Sequence, residues 1–232
     1  MYKMALQKKD FIEIEFVARV KDGEVFDSNL KEELEKLHQG HNHKVETKPF
    51  TFCLGEGMFL KGVDEFLIGK ELGEHKINLG PEKAFGKRDP KLIRIVPLNE
   101  FKKNDLNPIP GSVFNFDGKV AKILTVSSGR VIVDFNHPLA GKNVEYNVNI
   151  LRKVEDLNEK INSLNGFFFQ NDFPFKIDGK RLIVEIPKGT KQFVELFKDK
   201  YKDILDLEII GKEIEDKPKN KVEAKEEKSD QE

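Results

Sequence analysis

The sequence predicts an α+β protein built from more than one antiparallel sheet. Three observations predict it. Apolar and polar residues alternate in "IEIEF" at 12–16 and again in "VEYNVNI" at 144–150, and period two marks a strand with one buried face. Leu30, Leu34 and Leu37, and then Val63, Phe66 and Leu67, recur at helical spacing, which gives short helices with one apolar stripe. Asp-Gly at 117–118, Ser-Ser-Gly at 127–129 and Asp-Gly at 178–179 separate β-rich runs, and these are hairpin turns.

The elements follow in order. "DFIEIEFVARV" at 10–20 is a strand with Ile12, Ile14 and Phe16 on one face, Glu13 and Glu15 on the other, and Phe11 out of phase. "KDG" turns the chain, and "EVFDS" resumes a short strand. Asn29 stands where an N-cap would start a helix over 30–37, with Glu32 completing a capping box. A polar loop, "HQGHNHKVETKP", leads to the strand "PFTFCLG" and the glycine turn "EGMFLKG". "VDEFLIGKEL" is a second helix with Gly69 as its C-terminal cap. "EHKINLG" is a strand and "PEKAFG" a loop. Residues 91–97 form a strand, "PIPG" at 108–111 breaks the pattern, and 112–135 read as a small antiparallel sheet or barrel. The strand at 144–154 places Val144, Tyr146, Val148 and Ile150 on one face.

From 155 the pattern changes. "DLNEKINSL" is helical, "FFFQNDFPFKIDGKRLIVEIP" is a hairpin, and "LEIIGKEI" is a last strand. "TKQFVELFKDKYKDIL" is an amphipathic helix with Phe193, Leu196, Phe197, Tyr201 and Leu205 on one side. Residues 213–232 hold 13 charged residues in 20, a composition expected to stay disordered.

Composition narrows the function. A chain of 232 residues holds one large or two to three small domains. A net charge of −1 gives no general attraction to nucleic acid or membrane. Lys and Glu dominate the charged 35%, a bias of heat-adapted proteins. Cys53 is the single cysteine, so no disulfide can form within the chain, and its place in "FTFCL" makes it core filler. Without a long apolar run or a signal-peptide core, a cytoplasmic location is expected. The sequence contains no G-x-S-x-G, no P-loop and no G-x-G-x-x-G, so nucleophilic and phosphoryl-transfer chemistry lack support. His38, His41 and His43 carry ligand-type imidazoles, but they read as a solvated loop after a helix. No metal and no cofactor are assigned.

The more informative pattern is the succession "FIEIEFVARVKDGEVFDSN", "KPFTFCLGEGMFLKGVDEFLIGKELGE" and "GPEKAFG". It resembles the FKBP-type peptidyl-prolyl cis/trans isomerases over roughly residues 10–86 and 137–154. The segments "AFGKRDPKLIRIVP" and "FNHPLAGKNVEYNV" resemble the two edges of the domain that SlyD-like members insert in the flap. The resemblance implies an isomerase domain over 1–86 and 137–154, in which a curved antiparallel sheet wraps a short helix. It implies an inserted chaperone domain over 87–136. Residues 155–212 resemble the C-terminal α+β domain of long archaeal members, followed by the tail at 213–232.

By position, the resemblance assigns catalytic roles to Asp27, Leu60, Phe85 and Tyr146, and substrate-binding roles to Phe16, Phe26, Phe50, Phe59 and Leu139. Leu60 would hold a substrate carbonyl through its N–H, Asp27 would line the pocket wall, and Leu139 would touch its edge. The family usually has tyrosine where Phe85 stands and often where Phe16 stands; here both hydroxyls are missing, and Val63 replaces the tryptophan floor of small members. These changes leave an apolar pocket but weaken the case for macrolide binding. Read alone, the phenylalanines are core residues, Phe52 remains one on either reading, and Asp27 is a helix cap.

In the insert, Leu92, Ile93, Ile95, Val96, Leu98, Phe101, Val113 and Phe116 exceed what so small a unit can bury, so an apolar surface for extended peptides is expected. The implied partners are unfolded or nascent polypeptides containing proline, with no membrane. Residues 87–150 carry 10 Lys and Arg against 6 Asp and Glu, a mild surplus, and direct nucleic-acid binding is not expected. The alternatives are a non-catalytic holdase or a ribosome- or RNA-associated binding module.

Overall fold

The computed structural model describes residues 5–37, 47–116 and 118–214. His38, His41 and His43, Asp117 of the first Asp-Gly turn, and the tail from residue 215 lie outside the described residues. The chain divides into two compact units between Lys160 and Ile161.

The first unit opens with β1 (Phe11–Val20), β2 (Val25–Ser28), α1 (Lys31–Leu37), β3 (Phe50–Cys53), α2 (Lys61–Leu67) and β4 (Gly73–Leu79). It continues with β5 (Ile93–Pro97), α3 (Leu98–Lys103), β6 (Val113–Phe116), β7 (Lys119–Ser127), β8 (Arg130–Asp134) and β9 (Val144–Lys153). One sheet runs β2-β1-β9-β4, all antiparallel, and β3 pairs with β1. Its inner face carries the alternating residues the sequence marks, Ile12, Ile14, Phe16, Ala18, Val144, Tyr146, Val148 and Ile150, with Val63 and Leu67 of α2 also buried. The β1–β9 register shifts between Glu13 and Ile14, with Leu151 of β9 as the extra residue; Phe11, on the face opposite Ile12, is buried too, with the Lys160 ammonium 5.8 Å from its ring centroid.

β3 pairs with β1 as far as Ile14, and β2 begins pairing at Val17. The strand backbone between them needs other partners, and Asn29 supplies them. Its Oδ1 accepts from the Phe16 N–H at 2.7 Å and its Nδ2 donates to the Ile14 carbonyl at 2.9 Å. Asn29 is therefore not the helix cap that the sequence suggests. The Ser28 hydroxyl accepts from the Leu30 N–H and donates to the Phe16 carbonyl. α1 buries none of its residues and Leu37 is exposed, so the expected leucine stripe is not a core face.

The second sheet runs β5-β8-β7-β6, again antiparallel. It packs its own small core of Phe101, Ala121, Ile123, Val131 and Val133. The helix α3, which the sequence does not mark, brings Phe101 over this sheet.

α4 (Leu157–Phe169) spans the division between the units, and the second unit continues with β10 (Phe175–Asp178), β11 (Arg181–Pro187), α5 (Lys191–Glu195), α6 (Lys198–Leu205) and β12 (Glu208–Ile214). The hairpin at Gly179 forms as expected, but Phe167, Phe168 and Phe169 belong to α4 rather than to a strand. β12 runs parallel to β11, and such a pair requires a crossover, here α5 and α6. The single amphipathic helix is thus broken in two. Val194 and Tyr201 are buried, whereas Phe193 and Leu196 are exposed. The break lets α5 approach β12 at Gly211, where an added Cβ would lie 3.6 Å from the Val194 Cβ and 2.6 Å from the Ile186 Cδ1. Among the described residues no helix is long and apolar enough to cross a membrane.

Candidate functional site

Six aromatic side chains from separate elements meet in a continuous run. Phe16 lies edge-on to Phe59 with centroids 5.1 Å apart. Tyr146 of β9 contacts Phe16, Phe59 and Phe26 at 6.2, 5.9 and 6.0 Å. Phe26 of β2 meets Phe85 edge-on at 5.6 Å. Phe50 stands at the far end, stacked on Phe52 and tilted against Phe59. These separations favour aromatic pairs. Phe16 and Tyr146 are buried and form the floor. Phe26, Phe50, Phe59 and Phe85 are half-buried and present ring surface outward. Phe52 is fully buried, as its core assignment requires.

Polar groups border this surface. The Leu60 N–H donates to none of the described residues, while the Leu60 carbonyl accepts from Val63 and Asp64 at the start of α2. Asp27 is exposed on β2. Neighbouring atoms still withdraw enough water from its carboxyl to raise its pKa, against a hydrogen bond from Ser28. Burial raises the pKa of the Tyr146 phenol, and the nearby Asp27 charge adds to that. The phenol is therefore a neutral O–H across the physiological range, with no hydrogen-bond partner among the described residues. Cys53 is buried, and burial lifts its thiol to about 12, which removes it as a nucleophile.

Two features that fix the geometry escaped sequence reasoning. Asp64, buried on α2, accepts from the Gly55 N–H at 2.7 Å and the Gly57 N–H at 3.2 Å. It thereby pins the loop that presents Phe59 and Leu60. Burial raises its pKa against these two hydrogen bonds. Gly62 permits the second feature: a Cβ there would stand 2.3 Å from the Lys83 carbonyl oxygen. Only glycine lets α2 approach the loop that carries Phe85 this closely.

The segment that carries the second sheet leaves and returns beside Phe85. Gly86, with φ +79°, donates to the Pro81 carbonyl, and its own carbonyl accepts from the Gly141 N–H at 2.8 Å. Asn136 exchanges hydrogen bonds with the Asp89 backbone. Arg88 pairs with Asp134. Burial alone would raise the Asp134 carboxyl, but bonds from Asn136 and Arg88 outweigh it and hold the pKa below the usual carboxylate range. His137 stacks on Phe85 at 4.8 Å with 2° between the rings. Leu139 reaches the run indirectly: half-buried on the return loop, it donates its N–H to the His137 Nδ1 at 3.1 Å. A separate apolar cleft of about 310 Å3, beside Leu6, Leu72 and the Asp10–Lys153 ion pair, shares none of these residues.

The chain is similar to known proteins. The family model for FKBP-type peptidyl-prolyl cis-trans isomerase matches residues 3–102, and the model described as FKBP26, IF domain matches residues 94–139. The short-type peptidyl-prolyl cis-trans isomerase of Methanocaldococcus jannaschii is 34% identical over 146 residues, 62% of this chain and 92% of that protein. A probable FKBP-type 16 kDa peptidyl-prolyl cis-trans isomerase of Pseudomonas fluorescens is 28% identical over 60% of this chain and 86% of its own length. The FKBP-type isomerase SlyD of Escherichia coli is 27% identical over 49% of this chain and 60% of its own length. With a relative at 34% identity matched over 92% of its length, and with Phe16, Phe26, Phe50, Phe59 and Phe85 all within the residues that the family model matches, the chain belongs to the FKBP-type peptidyl-prolyl cis-trans isomerase family.

Proposed function

We propose that the protein isomerises X–Pro bonds in unfolded or nascent chains, and that the segment 87–136 captures those chains as an inserted chaperone domain. Residues 1–86 and 137–154 form the isomerase domain, and 155–212 a separate C-terminal domain. The observation that carries the proposal is the aromatic run from Phe59 through Tyr146 and Phe26 to Phe85, continued by His137 at the root of the insert.

Amide resonance sets a rotation barrier of about 18–20 kcal/mol, and X–Pro bonds exchange over tens to hundreds of seconds. In the twisted transition state resonance is lost and the carbonyl is less polar than in the planar amide. A water-poor aromatic surface therefore disfavours the planar form more than the twisted one, and only such differential binding accelerates the reaction. Each tenfold requires about 1.4 kcal/mol. No nucleophile or acid is needed. Phe26, Phe59, Phe85 and Phe16 enclose the proline, with Phe50 and Leu139 at the borders. The Leu60 N–H, which has no partner among the described residues, holds a substrate carbonyl. The neutral Tyr146 hydroxyl supplies a phenol that Phe85 and Phe16 lack. Asp27 lines the wall.

Capture is supported by apolar surface on the insert: Ile95 is 65% exposed and Val113 and Val120 are 60% exposed. The test is prolyl exchange in a short peptide measured by NMR. Phe26→Ala and Phe59→Ala should each lower the rate enhancement about tenfold or more; wild-type rates in both variants would reject the ring surface as the site.

A further inference from the structure

A cleft of about 370 Å3 lies between the inserted sheet and the returning chain. Val113, Val120, Lys122 and Leu124 form its wall on β6 and β7, and Pro138 and Lys142 belong to the return segment. His137 also lines it, and the same ring stacks on Phe85. A chain lying in this cleft would therefore end at the aromatic run.

The cleft has a charge. Arg88 is neutralised by Asp134, but Lys122 and Lys142 form no ion pair with the described residues. Two ammonium groups without an ion pair among the described residues thus border a surface of valine, leucine and proline, and the one carboxylate in the lining, Asp134, is held by Arg88. Extended polypeptide fits the apolar part, and carboxylate side chains fit the ammonium groups. Nucleic acid fits poorly, because the one ring in the cleft is already stacked and no other base platform is present among its lining residues.

We infer that this cleft selects client segments in which Glu or Asp stands among apolar residues next to the proline being isomerised. The inference rests on the capture reading above and adds a charge preference to it.

Three synthetic peptides sharing one apolar Leu-Pro segment and differing only in two flanking residues, Glu, Gln or Lys, test it on the full chain. Each exposed pair contributes modestly, so the Glu peptide should bind about three- to tenfold tighter than the Gln peptide. The advantage should vanish at high salt and invert toward the Lys peptide in Lys122→Glu/Lys142→Glu. A reduced, alkylated unfolded protein serves as the capture control, and plain single-stranded RNA as a competitor. If the unfolded protein binds while the Glu and Gln peptides bind equally, or the preference persists in the double variant, capture stands and charge selection is overturned. If the unfolded protein does not bind, both readings fall. Displacement of the Glu peptide by RNA at equal concentration would assign the cleft to nucleic acid instead.

Discussion

Asp27 joins the physical chemistry of the site to its cost for stability. Its carboxyl pKa is raised mainly by desolvation, so the fold favours the protonated form. The stability linked to this group is complete below its unfolded pKa and is lost as pH rises through the folded value. At neutral pH the charge is therefore retained at the expense of stability. Asp27→Asn should raise the melting temperature at pH 7 but not at pH 3, while lowering kcat/KM by up to about tenfold. Thermal melts at the two pH values, run beside the peptide assay, check both halves; lower stability at pH 7 would contradict the assignment. Phe85→Tyr restores a hydroxyl on a ring that already meets Phe26 and His137. Its rate should equal or exceed that of the wild type in the same assay, and a large fall would mean that this ring does not border the substrate.

Phe16 and Tyr146 were legible because alternation fixes which strand residues face inward, and Phe26, Phe50, Phe59 and Phe85 were placed only by the resemblance. Asn29, Asp64 and His137 were not legible in the same way. Each acts through a neighbour set by tertiary structure: Asn29 through a gap in strand pairing, Asp64 through two loop amides, and His137 through a ring on the departing edge. Composition carries no trace of these partners.

At the scale of elements, α2 and the loop before it determine where the site sits. Asp64 holds that loop by two partly buried hydrogen bonds to its amides. Asp64→Ala would leave the Gly55 and Gly57 amides without this acceptor and should cost about 1–3 kcal/mol, read by urea denaturation. It should also raise KM in the peptide assay, because Phe59 and Leu60 lose their fixed position. An unchanged KM would place the loop outside the site. The errors of sequence reading at this scale share one cause. Residues 167–169 are three phenylalanines and 190–205 are amphipathic, and periodicity alone does not distinguish a strand from the end of a helix, or one helix from two. The close approach of α5 to β12 at Gly211 decides the second case, and that contact joins residues remote in sequence.

At the scale of the whole molecule, the first unit contains two sheets with separate cores. The two connecting segments are laced by Gly86–Gly141, Asp89–Asn136 and Arg88–Asp134 contacts. The segment between these edges therefore joins the first sheet at the rim of the aromatic run. Under the proposed capture role, such tethering would raise the local concentration of prolines at the site without any new contact there. The sequence motifs at Gly86 and His137 lie where a strand pattern stops and resumes, and the reading of 87–136 as an inserted domain rests on them. The orientation of β12, the helix α3 and the cleft beside His137 were not legible, because each depends on contacts between residues remote in sequence.

The most direct measurement is the rate of a proline-limited protein refolding reaction, catalysed by the full chain and by a variant in which residues 88–135 are replaced by a short loop, with a short proline peptide as the parallel substrate. The account predicts that the variant keeps its rate on the peptide and loses most of its acceleration of the refolding protein. Equal catalysis of both substrates by both proteins, or no acceleration by the full chain, would contradict it.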